Sequence, residues 1–149
     1  MIAVNTALEV DIYGHVNSTH VIGSQLMNDI GGSGDFLRNS ALSSIVTPST
    51  VRCGAISAIV PMVTLVDHNK HSVNVIVTKH DLVATRPLTL RQVTNQMIAT
   101  CAHPVYRDLL CDYYDREVRT VGDHELHLLG EAVWLHKRYI ASGDMRATP

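Results

Sequence analysis

Apolar and polar residues alternate from Ala7 to Tyr13 before Gly14-His15, a period of two that predicts a strand, a turn and a second short strand. After Gly34, the residues Phe36, Leu37, Ala41 and Leu42 recur at roughly helical spacing. That helix is expected to end near Ser43 or Ser44, because Ile45-Val46-Thr47 is β-branched and Pro48 cannot continue a helix. Ala55 to Val63 and Ser72 to Thr78 are β-rich runs joined through the polar Asp67-His68-Asn69-Lys70-His71 segment. Both are continuously apolar rather than alternating, which predicts a sheet covered on both faces. The remainder reads as helical. Thr89 and Gln92 have capping-box spacing, with Val93, Met97 and Cys101 on one face behind them. Pro104 opens the next helix, carrying Tyr106, Leu109, Leu110 and Tyr113. A third is expected over about Glu125 to Ile140, with Leu129, Val133, His136 and Ile140 in a stripe and Gly143 just beyond its end. The pattern as a whole predicts an α/β domain over residues 1–149, with β elements first and a helical C-terminal tail.

Composition narrows the class. A chain of 149 residues can bury about 70% of the surface its unfolded form exposes, enough for one core. A formal charge of -2 with 17% charged residues provides no basic stripe for nucleic acid and no polybasic run for an anionic membrane, so neither partner is expected. No apolar run approaches the roughly 18 residues that span a bilayer, and no secretory signal is recognised at the N-terminus. Cys53, Cys101 and Cys111 form no CxxC pair; they are read as small buried hydrophobes in a reducing compartment.

The candidate chemistry lies in Gly31-Gly32-Ser33-Gly34-Asp35-Phe36. Glycines lack the Cβ atoms that would hold a ligand oxygen away, so successive N–H groups can converge on one negative charge at the start of a helix. The run matches neither the dinucleotide fingerprint nor the lysine-containing P-loop.

The surrounding sequence adds a resemblance. Asn5-Thr6-Ala7-Leu8-Glu9-Val10-Asp11-Ile12-Tyr13-Gly14-His15-Val16-Asn17-Ser18-Thr19-His20, then Met27-Asn28-Asp29-Ile30 before the glycines, then Ile59-Val60-Pro61-Met62-Val63 and Val66-Asp67-His68 occur in order. Over about residues 4 to 146 the chain resembles the C-terminal part of the acetyl-CoA hydrolase/acyl-CoA:carboxylate CoA-transferase family. The resemblance implies a Rossmann-like, CoA-transferase-like α/β fold with a largely parallel or mixed sheet. It also implies coenzyme A or acyl-CoA as substrate, small carboxylates as partners and no metal. Compartment by resemblance is the cytoplasm, or the mitochondrion in a eukaryote. Such enzymes act through a glutamyl-CoA thioester, and their glycine run donates backbone amides to the thioester. Carried over by motif, Gly32 is the expected donor, Gly31 and Gly34 shape the loop, the amide near Leu8 is a second CoA contact, and Arg52 holds the place of a basic CoA-binding residue.

Two departures accompany the likeness. The family's nucleophilic glutamate lies upstream of the first matching motif, so no catalytic residue is assigned in this chain. The N-terminal half or a second copy of the chain is the expected protein partner. The motif that usually reads Thr-Glu-Gln-Gly-Leu-Ala-Asp-Leu-Arg-Gly is here Thr78-Lys79-His80-Asp81-Leu82-Val83-Ala84-Thr85-Arg86-Pro87. Lys79 replaces a carboxylate with a cation, and Asp81 and Pro87 replace glycines. A degenerate, non-catalytic interaction module is therefore the alternative reading.

Other polar residues have simpler expectations. Glu9 and Asp11 pair with neighbouring polar groups, Asp35 serves the turn or the first helical amides, and Asn17-Ser18-Thr19 forms a hydrogen-bonded turn. Asp67-His68-x-x-His71 is read as a hydrogen-bonded loop in preference to a zinc site, and His80 as an exposed histidine. Trp134, Tyr113, Tyr114 and Tyr139 are read as packing, and Arg86 as a support for the active-site loop.

Overall fold

The computed structural model describes residues 1–122, 124–125 and 127–146. Eleven short strands precede most of the helix, in the order β1 (Ile2–Thr6), β2 (Glu9–Asp11), β3 (Val16–Asn17), β4 (His20–Val21), β5 (Gln25–Leu26), β6 (Leu42–Val46), β7 (Thr50–Val51), β8 (Ile56–Ser57), β9 (Ile59–Val60), β10 (Val75–Val77) and β11 (Leu82–Ala84). The helices are α1 (Ser33–Asn39), α2 (Leu90–Gln96), α3 (Pro104–Thr120) and α4 (Trp134–Ser142).

The main sheet has the order β1-β6-β10-β11, with β1, β6 and β10 parallel and β11 antiparallel at the end. A second sheet, β3-β2-β9, follows after Ala7 and Leu8 interrupt the extended run between β1 and β2. The fold is therefore α/β with a mixed sheet. One face of the main sheet turns Ala3, Ser43, Ile45, Ile76 and Val83 inward. Leu37 of α1, Val60, Val93, Met97, Leu110 and Leu135 belong to the same buried cluster as Ile45 and Ile76. Such side chains each contribute roughly 1.5–3 kcal/mol on burial, so this one-sided core is the main source of cohesion.

Several element boundaries differ from the sequence pattern. The first helix stops at Asn39, and Leu42 already starts β6. Parallel pairing with β1 draws the whole Leu42–Val46 segment into the ladder, overriding its helical spacing. The β1 strand itself lies upstream of the expected one. The run from Ala55 to Val63 divides into β8 and β9, which join different sheets, and Ser72 belongs to a 3₁₀ turn before β10. In the tail, helix begins only at Trp134 and ends on Gly143 in the left-handed conformation at φ 75°. Leu129 and Ile140 are exposed, so the stripe through them is not a core stripe, whereas His136 is buried. Cys101 is buried, but Cys53 and Cys111 are exposed: one sits on a hairpin tip and the other on the outer side of α3.

The α2 start is as expected. Gln92 N–H bonds to Thr89 Oγ1 at 3.4 Å, and Thr89 N–H bonds to Gln92 Oε1 at 2.9 Å, closing a capping box. Met97–Cys101 then widens into a π-helical turn, with Ala102 N–H bonded to Met97 O at 2.9 Å. His103 caps α3 by accepting from Val105 N–H, with Pro104 in the first turn. Thr89→Ala is expected to cost about 1 kcal/mol in urea unfolding, with Thr89→Ser retaining most of the stability.

Candidate functional site

A cleft of about 830 Å³ lies where four segments meet: the link between β1 and β2 at Leu8, the β4–β5 hairpin, the β7–β8 hairpin and α4 at Tyr139 and Ile140. Leu8, Ile22, Leu26, Val51 and Ile56 provide apolar wall, and Arg52 and Glu9 are its charged lining residues. The three described non-glycine residues with positive φ, Ile22 (47°), Arg52 (51°) and Cys53 (55°), all belong to these two hairpins. The β7–β8 loop, residues 52–55 between the paired Val51 and Ile56, carries successive positive φ values at Arg52, Cys53 and Gly54, the last at 87°. A β-branched residue in that conformation is strained, so Ile22 is held by its surroundings rather than by its own preference.

Glu9 fixes the floor. Its Oε1 accepts from Asn17 Nδ2 at 2.9 Å, Thr64 N–H at 3.0 Å and Thr64 Oγ1 at 3.1 Å, and Oε2 meets His136 Nε2 at 2.7 Å. Burial alone would push this carboxyl up, but the His136, Thr64 and Asn17 interactions together outweigh it and hold it below its ordinary value. Asn17 Oδ1 accepts from the Thr19 and His20 N–H groups, and Asp67 Oδ2 from Ser18 N–H and Thr19 Oγ1, so the Asn17–His20 turn is locked by side chains from two directions.

That turn aims the glycine run. Thr19 O accepts from Met27 N–H at 2.8 Å, and Ser33 Oγ lies 3.0 Å from His68 Nε2. Burial lowers the His68 pKa, favouring the neutral ring that can exchange a hydrogen bond with a hydroxyl. Gly31 takes φ 52°, and Gly32 caps α1 with no side-chain bond. Among the described residues, nothing takes up the N–H groups of Gly31 and Gly32, and both glycines are exposed. Gly34 is buried, and a Cβ there would lie 3.0 Å from Arg38 Nη2.

The expected contacts divide accordingly. Leu8 and Arg52 come together on one cleft, whereas Gly31, Gly32 and Gly34 lie beyond Met27, outside its wall. Leu8 N–H is bonded to Asn17 O at 2.9 Å, so strand pairing has already taken the amide that the sequence offered as a ligand donor. The guanidinium of Arg52 bonds Tyr139 Oη and lies 5.9 Å from that ring. Tyr139 packs against the core as the sequence suggests and also lines the cleft, a second role that no short motif marks because it reaches Arg52 across 87 residues. His136 likewise had no local signal for its pairing with Glu9.

Asp35 caps nothing; it sits inside α1, 3.7 Å from Arg38. Asp67 and His68 serve the loop contacts above, and the described residues hold no group of three metal-ligating side chains. The altered Thr78-to-Pro87 motif forms the β10–β11 hairpin with Lys79, His80 and Asp81 exposed at its tip. His80 meets His103 edge-on at 5.3 Å. Arg86 lies with Lys70, His71 and Tyr13 around a second cavity of about 550 Å³.

The mixed sheet with its helices is an α/β, CoA-transferase-like fold. RipA from Yersinia pestis superposes with a TM-score of 0.70 at 30% identity, covering 77% of this chain and 27% of RipA. The model of the acetyl-CoA hydrolase/transferase C-terminal domain matches residues 1–114, and the chain belongs to that family. It is 47% identical over 146 residues to the succinyl-CoA:acetate CoA-transferase of Clostridium kluyveri, covering 98% of this chain and 27% of that protein. It is also 42% identical over 153 residues to an acetyl-CoA hydrolase of Neurospora crassa, covering 97% of this chain and 29% of that one. The chain thus spans under a third of the length of these relatives. No described helix is long and apolar enough to cross a membrane.

Asp11 gives the site region a pH signature. Its Oδ1 accepts from Tyr13 N–H at 3.0 Å and His15 N–H at 2.9 Å. Complete burial nevertheless dominates and raises its pKa from 3.8 to about 6. A carboxyl raised on folding favours the native state when protonated, so this contribution is lost as pH climbs from 3.8 towards about 6. Asp11→Asn keeps the acceptor oxygen. It is expected to flatten that part of the stability profile and to stabilise at pH 7 by about 1–3 kcal/mol, measured by urea unfolding from pH 4 to 7.

Proposed function

We propose that this chain forms the CoA-holding C-terminal part of an acyl-CoA:carboxylate CoA-transferase or acyl-CoA hydrolase. The observation that carries this reading is the convergence of Leu8 and Arg52 on one largely apolar cleft. An apolar wall with one cation at its edge suits the pantetheine arm and a phosphate of CoA, and Arg52 is presented for that role by Tyr139. The unused Gly31 and Gly32 amides, four residues and more along the chain from the cleft residue Met27, would receive the thioester oxygen as charge develops there. The nucleophilic glutamate would come from protein outside this chain. Glu9 does not fill that role, because all its acceptor positions facing the protein are occupied and it is buried.

The second reading, a non-catalytic interaction module, draws on the altered hairpin. Lys79 and Asp81 stand exposed at its tip where the family pattern has a carboxylate and a glycine, so that tip no longer carries the family's acidic group. The two readings separate by titration. Calorimetry with CoA and acetyl-CoA is expected to give saturable binding, weakened about tenfold or more by Arg52→Glu and abolished by Gly32→Val, whose branched side chain would project at the amide donors towards Phe36. Absence of any heat with either ligand would favour the interaction module.

A further inference from the structure

The main sheet is covered on one face only. Opposite the core, Ile2, Val4, Leu42, Val46 and Leu82 are 67%, 65%, 39%, 37% and 54% exposed. The remaining positions of that face are valine, alanine, serine or threonine, and none of them carries a charge. Parallel sheets are ordinarily buried on both sides, and the continuously apolar Val75-Ile76-Val77 of β10 belongs to such a sheet.

Topology explains the bare face and says what fits it. The parallel strands advance in one direction, β1 to β6 to β10. Right-handed crossovers made in a constant direction all fall on one side. Accordingly, Leu37 from the first connection and Val60, Val63 and Val73 from the second join the same buried cluster as Ile45. Covering the other side takes parallel units that step away from β1 in the opposite direction, as in a doubly wound sheet. The outer edge of β1 has no strand beside it among the described residues, and the buried Nδ2 of Asn5 on that strand has no partner. Relatives hold more than two thirds of their length outside the region this chain matches.

We infer that the face carrying Val4 and Leu82 is the seat of further βα units, supplied by protein corresponding to the length that the relatives have outside this region. A parallel strand would pair with the free edge of β1, and apolar helices would lie across Ile2, Val4, Val46 and Leu82. β1 then becomes an interior strand and the sheet doubly wound. The inference extends the functional proposal by locating where the remainder of the enzyme attaches, but its readout involves no CoA.

The test compares the chain alone with a fusion that places the preceding region of the Clostridium kluyveri relative directly ahead of it. In the fusion, amide hydrogen exchange in β1 and β6 is expected to slow at least tenfold. Val4→Glu and Leu82→Glu should lower the fusion's Tm by roughly 5 °C or more, yet leave the isolated chain unchanged. Val105→Glu, at an exposed apolar position on α3, should be silent in both. Equal tolerance of Val4→Glu in both proteins, or an isolated chain that dimerises through this face and is made monomeric by Val4→Glu, would overturn the inference. Loss of CoA binding with these results intact would overturn only the functional proposal.

Discussion

A single buried carboxylate organises the cleft. Glu9 sits on a strand only three residues long, too short to hold a position through its ladder alone, and its hydrogen bonds tie that strand to Asn17, Thr64 and His136. Those partners come from the turn that leads to the glycine run, the loop after β9 and the C-terminal helix. A charge removed from water is tolerated only when its acceptor positions are filled. The same requirement that stabilises Glu9 therefore fixes the relative placement of three segments that share no continuous secondary structure. The Asn17–His20 turn, locked in this way, holds Met27 through Thr19 O, and His68 holds Ser33.

The second organising fact is asymmetry. Strands that advance in one direction with connections of one hand bury one face thoroughly and leave the other uncovered. The buried face holds tyrosines, leucines and the π-helical turn around Met97 in one cluster with zero or near-zero exposure. The bare face carries apolar side chains without a single charge, a composition suited to contact with protein rather than water. Family membership and the chain's share of its relatives' length agree with that picture of a part within a larger arrangement.

Much of this was legible in the sequence, and the failures have identifiable causes. Capping chemistry is local, so Thr89-Gln92, Pro104 and Gly143 marked their helix ends correctly. Pairing is not local. Leu42 has helical spacing after Phe36 but a parallel neighbour in β1, and the neighbour decides its conformation. The apolar stripe from Leu129 to Ile140 failed because those two residues are exposed, while His136, the polar member, is the buried one through its bond to Glu9. Glu9 and Asp11 were correctly read as paired with neighbouring groups, although no spacing rule could name His136, 127 residues away. In the candidate site, Leu8 and Arg52 were found by motif and do share a cleft, but the Leu8 amide is occupied by Asn17 O, a pairing visible only once β2 and β3 are side by side.

In the proposed function, CoA lies along the cleft between Leu8 and Arg52 with its thioester end directed to the amides of Gly31 and Gly32. A crystal structure of the chain with CoA tests this most directly. The expected density runs over Leu8, with a phosphate within hydrogen-bond distance of the Arg52 guanidinium and the sulfur end approaching Gly31 and Gly32. Density in the cavity of Lys70 and Arg86 instead, with the Leu8 cleft empty, would contradict it.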